Sequence, residues 1–296
     1  MVRLMRAHPI LLLPLLLGAL ASVGLVQGVT FGPRGKPQAG DTWISESTWH
    51  TTGHNRVLVG GVALRDKPID SLSHYVATVE IRETAQTVIS AMSIALAEQV
   101  ARDGDSSEDL DLDGVAVHGL GVPGERSFSR VDGGKLKRPQ KKWLDEQFGG
   151  SADPDQVDPL EFLLPKGPTA PGDTWDMDLV AISEYFDTEK FRFDLAASRA
   201  QVTLVDVREW HGVQAGRFSF DVYLVPSWID GGTINEAHMH ITGSADLPTD
   251  GATPWMAFAL GTDLRFDGSV KRKGIKADVD LTMHFDGAES QLPPTR

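Results

Sequence analysis

The chain has no cysteine among its 296 residues. Disulfides, thiolate metal sites, a cysteine nucleophile and a lipid-anchored N-terminal cysteine are therefore excluded. Positive charge is scarce. Lys and Arg number 28 against 41 Asp and Glu, a formal net charge of −13. Binding along a phosphate backbone requires clustered Lys and Arg, so nucleic acid is not an expected partner. The one basic cluster, Lys135, Lys137, Arg138, Lys141 and Lys142, reads as a solvated face. After residue 28 no apolar run approaches the ~20 residues of a spanning helix, so no membrane span is expected once the leader is cleaved. No Gly-x-Ser-x-Gly, Ser-x-x-Lys or His-Glu-x-x-His motif occurs, which weakens the case for an enzyme without excluding one.

What is present begins with a leader. Arg3 and Arg6 precede an almost wholly apolar stretch over 10–20, and Ala19-Leu20-Ala21 and Val26-Gln27-Gly28 are small-x-small cleavage sites. This is the layout of a secretory signal over 1–28, with an uncleaved anchor as the alternative. It predicts export to the periplasm or beyond. The composition of the full chain, 41% hydrophobic and 23% charged, is that of a globular protein.

The tetrapeptide Gly-Asp-Thr-Trp occurs twice, as Gly40, Asp41, Thr42, Trp43 and as Gly172, Asp173, Thr174, Trp175. Glycine permits a positive φ, aspartate can accept from backbone N–H groups two residues on, and tryptophan supplies buried surface at a strand start. The motif reads as a structural device that opens each of two halves. After it, period-two alternation recurs over 73–83 and, in the second half, over 217–224, 237–245, 255–266 and 275–286. Successive alternating strands with short connections predict an antiparallel meander with one buried and one wet face. Strands of ~10 residues twist and bend. Segment 84–100 fits both helix and strand periods, and continuity with the preceding strand favours strand. Helical patterns are expected over 141–147, after Asp158-Pro159, and after Asp176 as N-cap.

The expected fold is therefore mainly β (α+β), with strongly curved antiparallel meander sheets in two β-rich halves and a few short helices on the concave face. The boundaries are a linker over 29–39, a first half over 40–150, a connecting segment over 151–171, a second half over 172–288 and a disordered tail over 289–296.

Three patterns could carry chemistry. Phe218, Phe220, Met239, Met256, Phe258, Leu260, Met283 and Phe285 fall on apolar strand faces and could line a groove for an apolar ligand. His238 and His240, two apart on one strand face, together with His284, could reach one metal and support a hydrolase, although imidazoles on a wet sheet face are the simpler reading. Asp109, Asp111 and Asp113 before Gly114 match the opening of a calcium loop, but the twelfth position is Leu120, and a solvated acidic loop is the simpler reading. The Gly119-x-Gly121-x-x-Gly124 run leads through Pro123 into a strand, not a helix, so no dinucleotide cofactor is expected, nor any other.

The segment from Leu164-Pro165 through Pro171-Gly172-Asp173-Thr174-Trp175 resembles an element of uncharacterised exported bacterial proteins, often lipoproteins, that are β-rich and reuse Leu-Pro…Pro…Gly-Asp-Ser/Thr-Trp. This chain departs from them in lacking a lipobox cysteine. Its first copy also departs, since Pro37 lies three residues before Gly40 while Pro168 lies four before Gly172. The strand pattern is similar to that of periplasmic lipoprotein carriers. The resemblance implies a curved sheet and an envelope location, and brings no catalytic residue. The reading is of an exported, non-catalytic β-rich protein that binds an apolar ligand or an envelope protein, with a structural adaptor and a metal-dependent hydrolase as alternatives. The sequence carries no signal for oligomeric state.

Overall fold

The computed structural model describes residues 29, 31, 36–85, 88–104, 106–107, 110–150, 159–186, 191–249, 253, 255–272 and 274–294. The first half contains β1 (Thr42–Val59), β2 (Val62–Ala85), β3 (Val88–Asp103), β4 (Ser106–Ser107), β5 (Ala116–Leu120), β6 (Ser127–Arg130) and α1 (Arg138–Phe148). After a 3-10 turn at Pro159–Leu163 come β7 (Thr174–Asp176), α2 (Leu179–Phe186), β8 (Phe191–Phe193), β9 (Arg199–Trp210), β10 (Val213–Leu224) and β11 (Pro226–Ile229). The long strands β12 (Gly232–Pro248), β13 (Met256–Arg272) and β14 (Ile275–Leu292) complete the order. The segment over 84–100 is strand, continuing the β2–β3 hairpin as its periodicity allowed.

The fold is mainly β and antiparallel. One sheet takes in twelve strands in the order β6-β5-β3-β2-β1-β14-β13-β12-β10-β9-β7, with β4 appended to β3, and it does not close into a barrel. The last strand pairs with the first along almost its whole length, from Ile44 opposite Leu292 to Leu58 opposite Asp278. The two halves are thus one sheet. Two sequence expectations are corrected here. The tail expected from 289 is strand to Leu292, because its backbone groups pair with β1. Within the expected linker, Val29 makes a bridge to Thr169, and Phe31 is buried against the Phe218 ring at 4.8 Å.

The two Gly-Asp-Thr-Trp copies form the same turn. Gly40 and Gly172 both have φ +95°. Asp41 Oδ2 accepts from the Gln38 N–H at 2.6 Å, and Asp173 Oδ2 accepts from the Ala170 N–H at 2.8 Å. The aspartates therefore close the turn that precedes them, three residues back, and not the backbone two residues on as expected, because the chain ahead of them enters a strand. Each turn then docks on the neighbouring strand: Gly40 N–H donates to the Ile81 carbonyl, and Gly172 N–H to that of Leu204. In the second copy the strand is only three residues long before α2, whose first turn is held by Asp178 Oδ1 accepting from the Ala181 N–H at 3.2 Å. The cap is therefore Asp178, not Asp176, whose Oδ1 is engaged by Gln201 on β9.

Two apolar cores lie on one face of the sheet. One gathers Trp43, Tyr75, Ile81, Ile94 and Leu96 under Trp143 and Leu144 of α1. The other gathers Phe218, Val222, Ile241, Met256 and Phe258 under Leu160, Leu163, Ile182 and Phe186. Trp49 of the first half belongs to the second core, and Trp255 of the second half packs on the first. Several strand glycines sit beneath aromatic rings from the strand opposite. Trp49 pairs with Gly287, Phe220 with Gly243 and Phe128 with Gly119. A Cβ on Gly287 would lie 1.9 Å from Trp49 Cζ3, and one on Gly243 would lie 2.5 Å from Phe220 Cζ. Gly287 has no left-handed φ, so it is required for space, not for conformation. Gly287→Ala should displace the Trp49 ring and destabilise the protein by about 1–3 kcal/mol, the usual cost of overpacking. Urea unfolding checks this, and an unchanged midpoint would mean the ring does not rest on Gly287.

Candidate functional site

The apolar side chains expected to line a groove are core. Phe218, Met256, Phe258, Leu260, Met283 and Phe285 are buried, and Phe220 and Met239 are partly buried. Where Phe220 and Leu260 meet α2 and the 3-10 turn, only about 60 Å³ remains open. Ligand clefts generally run from ~300 Å³ upward, so this space is far too small for a lipid. The chain's own Leu160, Phe162 and Ile182 occupy the place such a ligand would take.

The opposite, wet face carries the larger depression, about 490 Å³, bordered by Thr48, His50, Thr242, Ser244, Ala259, Gly261, Asp286 and Ala288. Strand registers explain it. Thr203, Ser219, Ser244, Ala259, Ala288, Thr48 and His74 lie opposite one another in turn from β9 to β2. In this row every residue before His74 is small, and the rows on either side mix charged residues such as Asp286, Asp246 and Arg217 with small ones such as Gly261 and Ala257. On one side stands Asp246, which is buried and accepts from Arg217 at 2.8 and 3.1 Å and from Arg208 at 2.8 Å. The Asp246 hydrogen bond raises the Arg217 guanidinium above its ordinary pKa.

On the other side the predicted metal histidines are each engaged with other groups. His240 Nε2 bonds Asp221 at 3.1 Å. His284 is held by Asp263 at 2.8 Å and by Asp286 at 3.0 Å. His238 stacks on Tyr223 with ring centroids 5.7 Å apart. His240 and His284 lie on either side of Asp263 in register. Their strands are therefore two steps of ~4.8 Å apart. Zn–N bonds are only ~2.1 Å, so this placement does not bring the three imidazoles onto one ion. Among the described residues no group of three His, Asp or Glu side chains could hold a metal.

Two hydroxyl–imidazole pairs escaped the sequence reading because their partners come from different strands. Thr48 Oγ1 lies 2.8 Å from His74 Nδ1, and His74 Nε2 lies 3.9 Å from Glu98. Ser93 Oγ lies 3.1 Å from His118 Nδ1. Thr48 sits mid-strand on β1, which is paired on both sides by β2 and β14. The surrounding backbone donors are thus engaged in the sheet, and the site has no pair of free N–H groups to stabilise an oxyanion. Sequence reasoning also missed Gln140 and Arg126. Buried Gln140 accepts from the Lys137 N–H at 2.7 Å and donates to the Leu110 carbonyl at 2.6 Å, fixing α1 to the acidic loop. Arg126 donates to the carbonyls of Ile89 at 2.7 Å, Gly121 at 3.3 Å and Phe148, joining β3 to the end of α1.

Of the calcium-loop residues, Asp109 lies outside the described residues. Asp111 pairs with Lys137, and Asp113 accepts from the Gln99 N–H at 2.6 Å. These two carboxylates serve α1 and β3 separately. The turn residues Gly40, Asp41, Gly172 and Asp173 act within the backbone, Trp43 is buried in the first core, and Trp175 packs against the second.

No family model matches the chain, and no curated protein matches it. Among solved structures, a crystal structure of Pseudomonas aeruginosa OccK11 (OpdR) aligns over 86% of this chain and 98% of its own, at 11% identity and TM-score 0.24. A second, from work on asymmetric conductivity of engineered proteins, aligns over 82% and 99%, at 12% identity and TM-score 0.23. Superpositions this poor assign neither fold nor function.

The Asp263 carboxylate, accepting from His284, and Asp286 beside it raise the His284 pKa above the ordinary 6.5. A raised folded-state pKa contributes stability that is fully present below the unfolded value and is lost as pH rises through the folded one. His284 should therefore titrate above 6.5 by NMR, and Asp263→Asn should bring it down. His284→Asn should remove the part of the stability profile that fades over that window.

Proposed function

We infer that this is a non-catalytic β-rich protein of the cell envelope that holds a partner protein along the unpaired edge of β2. The observation that carries the reading is at residues 62–69. β2 pairs with β1 from Val62 onward, but its pairing with β3 begins only at Ser71 opposite Asp103. Among the described residues nothing pairs with the outer edge over 62–69. This part of the hairpin is exposed, with Val62 and Leu64 each 66% accessible. An open row of backbone donors and acceptors with apolar side chains is what strand addition uses. Pro68, Arg65 and Lys67 limit indiscriminate pairing there, since proline and charge blunt an edge.

The signal-like leader supports an envelope location, and the filled interior supports a surface-borne role over carriage of an apolar ligand. The two outer strands of the sheet, β6 and β7, are only four and three residues long, which leaves β2 as the longer template.

A photo-crosslinking residue at position 64, introduced in the producing cell, should capture one discrete envelope protein. The pair Val62→Lys and Leu64→Lys should lower that capture about tenfold, while stability moves by less than ~0.5 kcal/mol as for other surface changes. Capture unaffected by the lysines, or no capture at all, would sink the edge reading.

A further inference from the structure

The depression on the wet face is a separate feature from the β2 edge. Its borders come from four strands, β12, β13, β14 and β1. Its volume, about 490 Å³, falls within the range of small-molecule clefts. Three hydroxyls, those of Thr48, Thr242 and Ser244, face it together with the Asp286 carboxylate and the His50 imidazole. Between them Ala259, Gly261 and Ala288 offer only methyl groups and bare backbone.

The polar groups and the bare floor decide what chemistry fits. Asp286 is bonded to His284 through Oδ2, and His284 is bonded also to Asp263. His50 is bonded to Asp70 at 3.1 Å. A single imidazole thus lies between two carboxylates, so the rim keeps a negative charge, and Asp286 is tied through Oδ2 to His284. Asp286 Oδ1 comes to 3.4 Å from where a Cβ of Gly261 would stand, so it leans over the floor. It retains acceptor capacity on that oxygen. Hydroxyls that can both donate and accept, an acceptor oxygen and a methyl-lined floor complement a molecule with hydroxyls on its edges and C–H groups on its face.

We propose that this depression binds a neutral polyhydroxylated ligand, a saccharide unit, with Thr48, Thr242, Ser244 and Asp286 on its hydroxyls and Ala259 and Ala288 beneath its C–H face. Ala259 and Ala288 are exposed, so a long side chain at either fills the depression without entering the core.

The full chain is titrated with cellohexaose, chitohexaose and maltohexaose, and with spermine, by saturation-transfer NMR and calorimetry. Saturable binding of at least one hexasaccharide is expected, weakened about tenfold or more by Ala288→Arg, and by Thr242→Val to a smaller degree, with unchanged circular dichroism. Failure of all three sugars to bind at millimolar concentration overturns the proposal, as does sugar binding that Ala288→Arg and Ala259→Arg leave intact. Binding of spermine in place of the sugars overturns the assigned ligand class. None of these outcomes bears on the β2 edge, which the lysine variants test independently.

Discussion

The pairing of the first long strand with the last, under a tryptophan that rests on a glycine, is the constraint on which the rest of the structure depends. β1 and β14 meet across nearly all of their length, and Trp49 covers Gly287 at the middle of that seam. Because side chains alternate with period two, a one-residue slip would turn Trp49 to the wet face and take Gly287 from beneath its ring. A ring that needs a glycine opposite fixes register more strictly than a generic apolar pair. The same arrangement recurs at Phe220 over Gly243 and Phe128 over Gly119, so the device holds register across both halves. Trp49 then reaches Phe258 at 6.1 Å, which carries the seam into the second core.

The sheet separates its polar and apolar duties by face, but the two apolar cores do not run together without interruption. Buried Ser45 and Ser47 stand on β1 between Trp43 of the first core and Trp49 of the second, and Tyr75 OH meets Ser45 Oγ at 3.3 Å. Burial pushes the Tyr75 phenol well above its ordinary value, so it stays neutral and serves as a hydrogen-bonding group. The two helical caps, α1 on one core and α2 with the 3-10 turn on the other, each close one half. The wet face is organised by His–Asp and Arg–Asp pairs that alternate across strands. Most such exposed pairs contribute little stability individually. They stand around the small-residue trough, which is the distinctive relief of this face.

This arrangement points to function through surfaces. The interior is filled by the chain's own side chains. The hydroxyl–imidazole pairs stand in mid-sheet, where paired backbone cannot supply an oxyanion site. Among the described residues, the outer edge of β2 over 62–69 and the wet-face depression stay open. Both lie on long strands of the one sheet.

Several elements were legible in the sequence for clear physical reasons. Period-two alternation over 217–224, 237–245, 255–266 and 275–286 reports local backbone geometry, and strands formed there. Gly-Asp-Thr-Trp reports a local turn, and both copies made the same one, with the aspartate bonding backward to residues 38 and 170. Glycines after residue 148 report a helix end, and α1 stops there. The candidate sites fared differently. An apolar strand face looks the same in sequence whether it lines a groove or is filled by Leu160, Ile182 and Phe186 from elsewhere in the chain. His238, His240 and His284 share a face by periodicity, but their separation depends on how many strands lie between them. By itself the sequence determined the strands, their polarity and their turns, because those depend on neighbours within a few residues. Only the tertiary structure decided that β14 pairs with β1, that rings lie on glycines, that the groove is filled and that small residues from many strands align into a trough. Each of these depends on inter-strand register, which no local pattern encodes.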